Sequence, residues 1–69
     1  MTIVLKSEIV NNHLIEIRQE KYENCYKVSV ARMIDEYRAG GRLDDRTYSS
    51  MAQAKRRFRD LKKQVVNWG

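Results

Sequence analysis

The chain has one cysteine, one histidine and three glycines among 69 residues, and each scarcity removes a class of protein. Cys25 alone excludes an internal disulfide. His13, twelve residues before it, does not make a metal site of familiar spacing. With no second His or Cys there is no side-chain relay for nucleophilic or acid–base catalysis. Gly40–Gly41 is not a glycine-rich phosphate loop, and the adjacent Asp44 and Asp45 read as solvated acids of a loop. The expectation is therefore no enzyme, no catalytic residue, no metal and no cofactor. Long apolar runs are also missing. No segment approaches the roughly 18 residues that signal a membrane helix, so no membrane partner is expected. The N-terminus lacks a charged region followed by an apolar stretch, and with Met1 in first place the chain reads as cytoplasmic.

A chain of this size makes one domain at most, here residues 1–69. It buries only about 60% of the surface its unfolded form exposes, so its core is small. A second protomer is then the remaining source of extra stability, in the absence of a disulfide or metal.

Charge is abundant and unevenly placed. The net charge is +5, but residues 1–37 hold five cations against six acids, while residues 38–69 hold nine against three. Such asymmetry points to an anionic partner. The densest stretch runs from Lys55 to Lys63, where six of nine residues are cationic and Asp60 is the single acid.

Hydrophobic periodicity divides the chain in two. Residues 1–34 alternate with period two in three runs. Ile3, Leu5 and Ile9 share one face of the first, and Ile15 and Ile17 one face of the second. Tyr26, Val28 and Val30 share one face of the third. Asn11–Asn12 suits the left-handed conformation of a tight hairpin, and the "KYEN" stretch suits a second turn. This is the pattern of a three-stranded antiparallel meander. Residues 35–49, with Gly40–Gly41 and "RLDDR", lose the alternation and read as a loop. Residues 50–68 then change period. Met51, Ala54, Phe58, Leu61, Val65 and Trp68 make one stripe on a helix, with Ser50 as N-cap and Gln53 completing a capping box. The expected fold is α+β, βββα in two layers, with the helix stripe covering the meander's apolar face.

On that helix Lys55, Arg56, Arg59, Lys62 and Lys63 fall on one side of the apolar stripe, while Arg57 falls on the other. Lys55–Arg59 and Arg59–Lys63 are like-charged i, i+4 pairs, each unfavourable by ~0.2–0.5 kcal/mol. A sequence shaped for helix stability alone would tend to put an acid in one of those slots. Asp60 is placed to pair with Arg56 and Lys63. Arg38 and Arg42, beside Gly40–Gly41, are placed to reach phosphates bidentately, and Tyr37 and Tyr48 bracket that loop as possible stacking groups. The expectation is a small binding module that takes DNA or RNA, chiefly through phosphates, on Lys55, Arg56, Arg59, Lys62, Lys63, Arg38 and Arg42. The same features also suit an acidic protein partner.

Residues 26–61, from "YKVSV" to "GGRLDDRTYSSMAQAKRRFRDL", resemble the strand–loop–capped-helix ending of several small β-sheet domains. Among these are the arm-binding domains of phage-type integrases, similar to plant AP2 domains, which share the βββα order. The resemblance implies DNA read by the sheet face that the helix leaves uncovered. The charge of that face points elsewhere. In the expected register it presents Lys6, Arg18 and Lys27 against Glu8, Glu16 and Glu20, a balance that suits cross-strand ion pairs better than a duplex groove. Its Val4, Leu14 and Ala31 suit a homodimer instead. The alternative expectation is therefore a protein-interaction module, associating through this face or a strand edge.

Overall fold

Alternating β-branched residues form strands where the pattern requires them. The computed structural model describes residues 2–20 and 24–68, with β1 at Thr2–Val10, β2 at His13–Glu20 and β3 at Tyr26–Met33. Asn11 and Asn12, at φ 48° and 63°, supply the left-handed pair of a two-residue hairpin, the conformation Asn tolerates best among residues with a Cβ. Most of the turn expected at residues 21–24 lies outside the described residues.

The stretch read as a loop contains a fourth strand, β4, at Ala39–Tyr48. The sheet is antiparallel in the order β1-β2-β3-β4, so the architecture is ββββα. Glycine and aspartate are poor strand formers, which is why the alternation is lost there. Tertiary context overrides that propensity, because β3 would otherwise be left with one side of its backbone unpaired. The five residues before β4 form its hairpin. Asp35 Oδ1 accepts from the backbone N–H of Tyr37 and Arg38, and Ile34 N–H donates to the Arg38 carbonyl at 2.8 Å.

The helix, α1, spans Met51–Val65, shorter at its C-terminal end than the periodicity suggests. Ser50 caps it as expected, its Oγ accepting from Gln53 N–H at 3.2 Å. The far end is held by the first hairpin. Asn11 Nδ2 donates to the carbonyl of Val65 at 2.6 Å and to that of Trp68.

Ala54, Phe58, Leu61 and Val65 of α1 pack on Ile15, Ile17, Val28 and Val30, with Val10, Tyr26, Tyr48, Met51 and Trp68 around the rim. The β2 and β3 contributions and the helix stripe are those expected. Ile3, Leu5 and Ile9 are not in the core, being 43%, 42% and 57% exposed. Two physical causes act together. A helix about 10 Å across covers roughly two strands spaced ~4.8 Å apart. The fourth strand moves the middle of the sheet to β2 and β3, so β1 lies outside the helix's cover. The register of β1 on β2 also shifts between Val4 and Lys6. The resulting bulge at Leu5 reverses the alternation. Lys6 and Glu8 then lie opposite Ile17 and Ile15, on the helix side, while Ile9 lies opposite Leu14 on the uncovered side.

Candidate nucleic-acid interface

Reversing the phase of β1 creates a site that periodicity alone did not reveal. It brings Lys6 and Glu8 beneath the edge of α1, whose basic flank faces the same way. Lys6 Nζ lies 4.9 Å from the centroid of the Phe58 ring, and Lys62 Nζ lies 5.9 Å from it. Lys62 also pairs with Glu8 at 2.9 Å. A shallow groove runs along this junction. Its walls are formed by Lys6, Ala52, Lys55 and Arg59 towards the helix start, and by Val10, Arg59, Lys62, Lys63 and Val66 towards its end. Arg56 borders a neighbouring depression that also includes Arg59. Arg59 is thus common to the whole strip.

The helix is held in this orientation from its other flank. Arg57 Nη2 donates to Asp44 Oδ2 at 2.8 Å, and Arg46 approaches the same oxygen at 3.1 Å. This bond from Arg57 keeps the Asp44 carboxyl below its ordinary pKa. With Arg57 tied to β4, Lys55, Arg59, Lys62 and Lys63 line the groove on the β1 side. Arg56 lies with Ala52 and Gln53 on the outer surface of the helix. Lys55, Arg56, Arg59 and Lys63 are exposed and make no ion pair among the described residues. Asp60 does not take up the pairing with Arg56 and Lys63 that its spacing allows.

Two residues of the expected set stand apart. Arg38 lies in the hairpin before β4 and pairs with Asp35 at 3.2 Å. Arg42 lies on β4 opposite Ala31, on the uncovered face. Because β4 and β1 are opposite edges of the sheet, neither arginine joins the groove. Tyr37 stays with them at the hairpin, 89% exposed, whereas Tyr48 packs against the core. Lys6 is the groove residue that sequence reasoning missed. A bulge leaves no reliable mark in a sequence, and without it Lys6 falls on the opposite face.

The uncovered face remains balanced in charge, through different residues. Arg18, Lys27 and Arg42 share it with Glu16, Glu20 and Asp45, although Arg18 stands directly opposite Lys27 in the register. Arg18 crosses above Ser29 to donate from Nη2 to both oxygens of Asp45, each at 2.8 Å. Although no element of the described residues covers this face, Arg18 is 7% and Ser29 2% exposed. Of the expected dimer residues, Ala31 is buried at 6%, Leu14 is half-buried and Val4 is exposed. Ala31 therefore offers almost no surface. Asp44 and Asp45, adjacent in sequence, project to opposite faces and bind different arginines. His13 is buried, with Nδ1 2.7 Å from the Asn11 carbonyl and its ring edge-on to Trp68. Among the described residues no group of His, Cys, Asp and Glu is placed to hold a metal ion, and no helix is long and apolar enough to cross a membrane.

No known family model, curated protein or solved structure matches this chain. The likeness of residues 26–61 to integrase arm-binding and AP2 domains thus rests on a local pattern, and the fourth strand departs from their βββα order.

Proposed function

We propose that this chain is a non-enzymatic, cytoplasmic nucleic-acid-binding module that engages phosphates along the groove between α1 and β1. One observation carries the reading: cations from two separate elements converge on one strip, and most of them make no ion pair among the described residues. Lys6 enters from the sheet, Lys55, Arg59, Lys62 and Lys63 enter from the helix, and Arg56 lies beside Arg59 in the adjoining depression. Like charges held together cost stability unless an anion is bound between them. Long ammonium and guanidinium side chains on a helix flank suit phosphate oxygens and carry little base-edge specificity. Binding is therefore dominated by the backbone and weakly selective for sequence. Glu8, paired with Lys62, neutralises part of its charge and limits the contacts to four or five phosphates.

Fluorescence anisotropy with duplex and single-stranded oligonucleotides tests this directly. For a duplex, log K should fall against log salt with a slope of about −4. Dissociation constants above ~100 μM at low salt, for every oligonucleotide, would remove the proposal.

A further inference from the structure

Four of the eight large apolar side chains exposed among the described residues belong to one strand, β1: Ile3, Val4, Leu5 and Ile9. β1 is also a sheet edge, hydrogen-bonded to β2 alone. Edge strands are commonly protected by an inward or central lysine, or by a bulge. β1 has both, in Lys6 and at Leu5, yet it also carries an acid two residues after the lysine.

We infer that β1 pairs antiparallel with β1 of a second copy of this chain, across a two-fold axis at Ser7. In that register Lys6 faces Glu8 of the second copy, and Glu8 faces its Lys6. Leu5 faces Ile9 twice, and Ser7 faces itself. The neighbouring registers are worse. An axis at Lys6 opposes two lysines, and one at Glu8 opposes two glutamates, each a directly unfavourable cross-strand pair. An axis between residues is excluded, because residues directly opposite one another in an antiparallel pair project to the same face. The Ser7 register alone turns the protecting lysine into half of an ion pair, and isologous symmetry repeats the pair. From Lys6 to Val10 the alternation is regular, so the bulge at Leu5 lies at the margin of the pairing.

The geometry of the product follows. Antiparallel neighbours in one sheet are related by an axis perpendicular to it, so both helices lie on the same face of an eight-stranded sheet. Lys6 and Glu8 lie on that face as well, so each Glu8, paired with Lys62 of its own chain, also meets Lys6 of the second copy between the helices. The basic flanks of the two α1 helices then face each other across the join.

Sedimentation equilibrium of the full chain, without nucleic acid, separates this inference from the function proposed above. Across roughly 10 μM to 1 mM, the span of weak association, the mass should rise from 8.2 kDa towards twice that value. Lys6→Glu and Glu8→Lys should each remain monomeric, because each opposes like charges across the axis. An equimolar mixture of the two variants should recover the dimer, since every facing pair is then opposite in sign. Circular dichroism establishes that each variant is folded. Should either variant fail to fold, Ile9→Lys, at an exposed position facing Leu5 of the second copy, should also give a monomer. A constant monomer mass for the native chain overturns the inference. So does a dimer that survives the substitutions, or a mixture of folded variants that stays monomeric.

Discussion

Asn11 performs two tasks that belong to different elements. Its backbone takes the positive φ of the hairpin, and its side-chain amide donates to the carbonyl of Val65, which also accepts from the Trp68 N–H, and to that of Trp68 just beyond α1. A helix leaves its last four carbonyls without intrahelical partners, so the amide joins the hairpin to the helix. Two substitutions separate the tasks. Asn11→Gly keeps the backbone conformation and loses the amide, at a cost of about 1–2 kcal/mol for two hydrogen bonds. Asn11→Ala also forces a Cβ into the left-handed region, adding ~1–2 kcal/mol. Urea unfolding should therefore rank the native chain first, Asn11→Gly second and Asn11→Ala last. Glycine also removes the Cβ that Asn11 holds in the left-handed region. A glycine variant more stable than the native chain by ~1 kcal/mol or more would therefore show that the helix end draws no stability from the hairpin.

At the scale of the element, α1 is polarised across its width. Arg57 on one flank is largely buried and paired with Asp44, with its Nε left without a hydrogen-bond partner among the described residues. The opposite flank keeps its cations exposed. Arg59 lies in the middle of that flank, four residues from Lys55 and four from Lys63. Arg59→Glu replaces two repulsive pairs with two attractive ones, and Arg59 has no ion-pair partner among the described residues to lose. Thermal unfolding should show stability unchanged or raised, by up to ~0.5–1 kcal/mol. The same variant should lose most of its oligonucleotide affinity, since a reversal of charge acts on both neighbouring phosphate contacts. Destabilisation by more than ~1 kcal/mol would instead mark Arg59 as a structural residue and the basic flank as architecture. The sheet shows the contrasting arrangement, in which Arg18 and Asp45 lock β2 to β4 across β3.

The whole molecule depends on acids that bridge elements, and its stability should depend on pH accordingly. Asp44 joins β4 to α1, and Asp35 orders the hairpin that brings β4 back along β3. Hydrogen bonding holds both carboxyls below their ordinary range, chiefly from Arg57 for Asp44 and from the Tyr37 N–H for Asp35. A carboxyl whose pKa is lower in the folded chain stabilises it fully above its unfolded value of about 3.9. That contribution is lost as the pH falls further, through the folded value. Urea midpoints should hold between pH 5 and 7 as far as these two groups are concerned, then fall below pH 4. Asp44→Asn should lower the midpoint at neutral pH and weaken its decline in acid. An identical acid limb in both proteins would show that the Asp44 bridge adds no stability.

What the amino-acid sequence determined by itself was local. Alternation in three runs, the Asn11–Asn12 turn, the Ser50 cap and the 3,4-spaced stripe each depend on residues close together along the chain. They specify β1 to β3 and α1 without reference to the rest. The clustering of Lys55, Arg56, Arg59, Lys62 and Lys63 on one flank is legible for the same reason. The tertiary structure decided everything that depended on a distant neighbour. β4 forms against its own weak propensity because β3 has backbone groups to pair. Its presence recentres the sheet, and the single helix then cannot cover β1. Paired with β2, β1 bulges at Leu5 and exchanges its faces, removing Ile9 from the core and bringing Lys6 beneath the helix. The basic flank could be read from the sequence, but the groove it faces could not, because strand pairing sets the groove.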